Sequence, residues 1–138
     1  MKPYIISMAH NLKSMMNLEK EIQFKMNIED VNLSIDNAVP CGIVINELIT
    51  NSLKHAFKHT HKGTISIRLK EDDGNRIILD FSDNGAGLSP DIDLKKPGSL
   101  GLRLVHILTE QIEGTLETAT PAQGVCFRIT FPRGQRNS

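Results

Sequence analysis

RIILDFSDNGAG, residues 76–87, is the stretch on which the reading of this chain turns. Counting in twos from Ile77 gives Leu79, Phe81 and then Asp83, so an acid shares its parity with an apolar row. Strand side chains alternate between two faces, and the pattern predicts a half-buried strand whose last inward position is a carboxylate. A carboxylate aimed at a core is costly unless hydrogen-bond donors reach it. A ligand with an amino group, such as adenine, would satisfy it. Gly85 and Gly87 would then let the backbone approach that ligand or take positive φ. The same letters also admit a plain turn, because Asn-Gly is a common turn pair and Asp ends many strands. Against the turn, residues 86–97 do not return as a strand.

Working outward, GTISIRLK alternates through Ile65, Ile67 and Leu69. EDDGN supplies an Asp-Gly turn, so residues 63–83 are expected to form an antiparallel hairpin. Upstream, EIQFKMNIE places Ile22, Phe24, Met26 and Ile28 on one face of a strand, and LSID is a candidate short extension. Pro40 suits the first turn of a helix, and VPCGIVINELITNSLKHAFKH reads as one long helix ending near Gly63. Tyr4 to Met16 carries Ile5, Met8, Leu12 and Met15 at helical spacing. Downstream, a punctuated loop over residues 84–98 leads to the helix SLGLRLVHILTEQIEG, closed by Gly114. TLETAT and GVCFRITFP then complete a sheet, and the polar tail RGQRNS, residues 133–138, is expected to fray. The order of elements implies an α+β domain, a two-layer α/β sandwich. Its mixed, mostly antiparallel sheet is covered on one face by helices.

The chain's 138 residues are one domain's worth. Sixteen basic and sixteen acidic residues cancel, so no broad field recruits nucleic acid or an anionic membrane. No apolar run approaches the roughly 20 residues of a membrane span, and no secretory leader is visible. Cys41 and Cys126 lie far apart without further ligands at metal spacing, and are expected to be buried, unpaired thiols of a reducing compartment.

Two further features carry chemistry. On the long helix, Ile45, Ile49, Ser52, Leu53 and Ala56 make an apolar stripe, and Glu47, Asn51, Lys54 and Lys58 the opposite one, with His55 at its edge. Glu47 and Asn51 are one turn apart and can share a ligand. An asparagine oxygen and phosphate oxygens suit magnesium, a lysine one turn on can hold phosphate charge, and a glutamate can orient or deprotonate a nucleophile. A solvated helix face would look the same. In PGSLGLRLVHIL, Gly98 and Gly101 flank a helix start, where free amides bind phosphate. A loop-to-helix cap by Ser99 is the simpler alternative.

Together ELITNSLKHAF, DNGAGL and GSLGLRLV, in this order and spacing, resemble the ATP-binding domain of sensor histidine kinases. The wider group includes type II topoisomerases, mismatch-repair ATPases and a heat-shock chaperone ATPase. The similarity runs from about residue 20 to Pro132. It implies a Bergerat-type fold that binds Mg-ATP and passes the γ-phosphoryl group to a histidine on a separate dimerisation domain. It further implies that Asn51 coordinates magnesium and Glu47 holds the base or water-orienting position. Lys54 and His55 would contact phosphates, Asp83 would accept the adenine amino group, and Gly85 and Gly87 would make room for the base. Ser99, Leu100, Gly101 and Leu102 would present amides to the phosphates beneath a short lid, residues 88–98.

Two departures accompany the resemblance. The family's Gly-Thr pair at the last strand is here Gly124-Val125, which removes a hydroxyl from the adenine pocket. The phosphoacceptor histidine and its helical hairpin are not seen; His10 reads as an ordinary helix residue, and His59 and His61 as a polar helix end rather than a metal site, since no third ligand falls nearby. The expectation is therefore a cytoplasmic catalytic fragment, residues 1–138. Its partners would be its own phosphoacceptor domain and a response regulator, with neither nucleic acid nor membrane. The rival readings are a serine kinase of the anti-sigma type and a nucleotide-dependent interaction module without phosphoryl transfer.

Overall fold

The computed structural model describes residues 2–15, 21–29, 31, 33–53, 62–72, 75–85, 100–119 and 124–133. In chain order these form α1 (Lys2–Met15), β1 (Glu21–Ile28), α2 (Ile35–Asn51), β2 (Lys62–Glu71), β3 (Arg76–Asp83), α3 (Leu100–Gln111), β4 (Thr115–Ala119) and β5 (Val125–Pro132). The five strands make one sheet in the order β1-β2-β3-β5-β4. β1 and β2 run parallel and every other pair is antiparallel, so the sheet is mixed. α2 is the crossover that the parallel pair requires.

Period-two patterning produces two unlike faces. Ile65, Ile67 and Leu69 of β2, Ile77, Leu79 and Phe81 of β3, and Val125, Phe127, Ile129 and Phe131 of β5 are all buried on one side. They meet Ile45, Leu48 and Ile49 from α2, Leu53 just past its end, Val105 from α3, and Ile5 and Ala9 from α1 in a single core. Full burial of each large aliphatic or aromatic side chain contributes about 1.5–3 kcal/mol, which is what sets the helices on that face. The opposite face is polar. There Arg128 and Asp80 pair across β5 and β3, with Nε–Oδ1 at 2.7 Å and Nη2–Oδ2 at 3.1 Å. The Asp80 carboxylate raises the pKa of the exposed Arg128 guanidinium, first by hydrogen bonding and then by charge.

Several sequence expectations are corrected at element ends. LSID does not extend a strand: Ser34 is the extended N-cap of α2, and Ile35 and Asp36 are its first turn. The Ser34 carbonyl accepts the amides of Asn37 at 3.1 Å and Ala38 at 2.8 Å. Pro40 thus lies inside α2 and is buried, where a missing amide costs about 3 kcal/mol in an unsupported helix. Core contact outweighs that local preference. The helix end expected near Gly63 falls on residues 54–61, outside the described residues, and Gly63 itself is a buried residue of β2 paired with Ile22, as its place in GTISIRLK implies. β2 begins at Lys62, and the Asp-Gly turn at residues 73–74, Met16 and most of the tail lie outside the described residues.

The end of α3 is shifted by one residue from the expectation. Glu113, not Gly114, takes the left-handed conformation, with φ 59°. Its amide reaches the Glu110 carbonyl at 3.0 Å and that of Gly114 reaches Thr109 at 2.8 Å, the paired bonds of a Schellman ending. Gly114 is required for space instead, since a β-carbon there would lie 2.9 Å from the Thr130 carbonyl oxygen. Cys41 is buried as expected, but Cys126 is only half-buried because it faces the polar side of β5; neither is in a disulfide.

Two outcomes follow. In urea denaturation, Gly114→Ala should lower stability by about 1–3 kcal/mol, whereas Glu113→Gly should raise it by up to about 1 kcal/mol. An unchanged midpoint for Gly114→Ala would contradict the packing described. Burial pushes the Cys41 thiol up from 9.0 to about 12. An unfolded chain therefore releases a proton across that interval that the folded one keeps, so stability falls as pH rises from 9.0 to about 12. Near neutral pH a thiol reagent should modify Cys126 in the native protein and reach Cys41 only after unfolding, as read by mass spectrometry.

Candidate functional site

Asp83 closes β3 and is 5% exposed. The ladder explains its direction, because it stands opposite Ile65 of β2 and Val125 of β5, both buried. Two donors hold the carboxylate. The Ser52 hydroxyl donates to Oδ2 at 2.7 Å, and the Gly85 amide donates to Oδ1 at 3.0 Å. The second bond is an aspartate turning its own chain two residues on. Each bond to a charged acceptor contributes about 1.5–3 kcal/mol, which offsets desolvation of the acid. Each oxygen keeps a lone pair for a further donor.

The backbone around Asp83 is equally constrained. Asn84 continues the β2–β3 pairing: its amide donates to the Thr64 carbonyl at 3.2 Å, and its side-chain oxygen accepts from the Thr64 amide at 2.7 Å. Asn84 therefore extends the ladder by one residue beyond Asp83. Gly124, with φ 87°, leads into β5. A β-carbon there would collide with the Asp83 carbonyl oxygen, so glycine is what lets β5 start directly beside the end of β3.

α2 brings the remaining described candidates to this end of the sheet. Its stripe is buried as expected at Ile45, Ile49, Ser52 and Leu53, while Glu47 and Asn51 are half-buried on the other face. Past Asn51 the helix widens into a π-type turn at Ser52 and Leu53, and Ser52 bonds to Asp83 from there. Asn51 is thus one residue from the group that touches Asp83. Leu100, Gly101 and Leu102 form the first turn of α3, whose amides have no partner within the helix. α3 packs against α2. Lys54, His55, Gly87 and Ser99, the residues 88–98 read as a lid, and His59 and His61 lie outside the described residues. His10 is on the exposed side of α1. No group of three His, Cys, Asp or Glu side chains poised for a metal occurs among the described residues.

Sequence reading placed Ser52 in the apolar stripe and assigned it no contact. The signal was nevertheless present: a lone hydroxyl among Ile45, Ile49 and Leu53 must find a partner once buried. Val125 is located on the inner face opposite Asp83, so the wall beside the acid is apolar there.

Residues 36–135 match the family described as histidine kinase-, DNA gyrase B-, and HSP90-like ATPase. Blue-light-activated histidine kinase 2 of Erythrobacter litoralis is 26% identical over 117 residues, covering 85% of this chain and 34% of that protein. Sensor histidine kinase PdtaS of Mycobacterium tuberculosis is 34% identical over 107 residues, covering 75% of this chain and 21% of its own length. The chain thus spans 34% and 21% of the lengths of these relatives. Among solved structures, the histidine kinase domain from the Erythrobacter litoralis EL346 blue-light activated histidine kinase has the same fold. It matches with a TM-score of 0.87 at 24% identity, covering 95% of this chain and 60% of that one. The match extends from the first turn of α2 past the end of β5. Both named relatives are histidine kinases, and this chain belongs to the histidine kinase-, DNA gyrase B- and HSP90-like ATPases.

Proposed function

We propose that this chain is the catalytic domain of a histidine kinase, a fragment of a longer protein, and that it binds Mg-ATP and donates the γ-phosphoryl group to a histidine on a separate dimerisation domain. The observation that carries this reading is the buried Asp83 carboxylate at a central strand end, tied to the helix that bears Glu47 and Asn51. A group that only accepts, between the apolar Ile65 and Val125, fits the exocyclic amino group of adenine and opposes a keto oxygen at the same place. Gly85 and Gly87 make room for the base. With Val125 in the wall, Asp83 and the apolar surface carry base recognition.

The phosphate end is assigned to α2 and α3. Glu47 and Asn51 are oxygen donors one turn apart, a set that suits a hard cation shared with phosphate oxygens. Magnesium held by Asn51 would neutralise charge on the triphosphate during transfer. Glu47 orients the attacking imidazole or takes its proton. Lys54 and His55 contact phosphate oxygens, and the amides of Ser99, Leu100, Gly101 and Leu102 receive them at the α3 N-terminus. Transfer breaks the bond between the γ-phosphorus and its bridging oxygen, forms a phosphorus–nitrogen bond on the acceptor, and leaves ADP. Its catalysis is mainly positioning.

The implied partners are the phosphoacceptor domain and a response regulator, and the implied location is the cytoplasm. The named sensor kinases among the relatives support this setting. No helix among the described residues is long and apolar enough to cross a membrane.

Calorimetric titration tests the base. Asp83→Asn should weaken ATP binding by at least about tenfold in magnesium buffer, and equal affinity would remove the adenine assignment. A supplied phosphoacceptor domain tests the chemistry. Glu47→Ala should leave ATP affinity near wild type and slow transfer by about 10²–10⁴-fold. Without that domain, the chain incubated with radiolabelled ATP should acquire almost no label; labelling at the rate seen with the acceptor would refute the reading.

A further inference from the structure

We propose that Ser52 is a positioning and specificity residue of this site: its hydroxyl fixes the rotamer of Asp83 so that the carboxylate's free lone pair meets the purine amino group. The inference rests on Asp83 reading adenine, as proposed above.

The bond is short, 2.7 Å, and Ser52 is 3% exposed. Among the described residues it is the one side chain that donates to Asp83. The other donor, the Gly85 amide, belongs to the segment leaving the same strand and moves with it. Ser52 comes from a different element, one clamped to the sheet by Ile45, Ile49 and Leu53. It therefore supplies an external reference for the carboxylate. The flanking strand partners, Ile65 and Val125, have no side-chain donor to replace it. The Ser52 backbone is itself held at the end of α2, in right-handed helical geometry with its amide bonded to the Leu48 and Ile49 carbonyls, so the hydroxyl starts from a fixed point. Asn51 is the adjacent residue, so one short segment of α2 would hold both the metal ligand and the support of the base-reading acid.

A purely structural serine and a positioning serine predict different selectivity. The test titrates the 138-residue chain with ATP and with inosine triphosphate, which has a keto oxygen in place of the amino group, in magnesium buffer. Wild type should prefer ATP. Ser52→Ala should lose about tenfold in ATP affinity while its inosine triphosphate affinity stays within about twofold, and Ser52→Thr, which keeps the hydroxyl, should recover the preference. If Ser52→Ala does not fold, Ser52→Cys makes the same comparison with a weaker donor and should lose part of the preference. Equal weakening of both nucleotides, or an unchanged ratio, overturns the positioning role while leaving the Asp83 assignment intact. A wild type that does not distinguish the two nucleotides overturns the adenine reading and this inference with it.

Discussion

The structure is organised around keeping one carboxylate, that of Asp83, inside the protein. A buried acid without donors costs several kcal/mol and would otherwise be expelled or neutralised. Here α2 contributes the Ser52 hydroxyl, the exiting chain contributes the Gly85 amide, and β5 contributes a glycine whose bare backbone fits against Asp83. Three segments distant in sequence must all be in register for the acid to be tolerated. Any slip of β3 by one residue would turn Asp83 outward and Ser82 inward, and the core row Ile77, Leu79 and Phe81 would be lost with it.

The same sheet separates stability from chemistry. Its inner face is almost wholly apolar and binds the helices through area; its outer face is polar and contributes ladder pairs such as Asp80–Arg128. The groups to which we assign chemistry lie at the ends of elements: the last residue of β3, the last turns of α2 and the first turn of α3. Element ends have unpaired amides and open space, while element middles have neither. In a family whose proteins include kinases, gyrases and chaperones, that division lets one core serve sites that differ in detail.

Much of this was legible from residue order. The alternation of residues 63–70, 76–83 and 125–131 places the strands and their inner faces correctly, and Asp83 was recognised as inward by parity alone. The stripe on α2 was also correct from Ile45 to Leu53. The misreadings fall at boundaries. Ser34 opens a helix whose first turn the sequence assigns to Pro40, and Glu113 takes the left-handed position expected of Gly114. In each case a local preference worth a kcal/mol or a few gave way to burial or sheet pairing.

Ser52 marks the deeper division. By itself the sequence determined which residues are apolar at period two or near 3.6, and so which faces are inward and that an acid shares one of them. It could not determine what meets that acid, because Ser52 and Asp83 are separated by 31 positions. Only the tertiary structure decided their contact, together with the tight passage of Gly124 past the strand end. Periodicity is a property of neighbouring residues, whereas a hydrogen bond between elements depends on how far each helix slides along the sheet. That slide is set by the packing of the whole core.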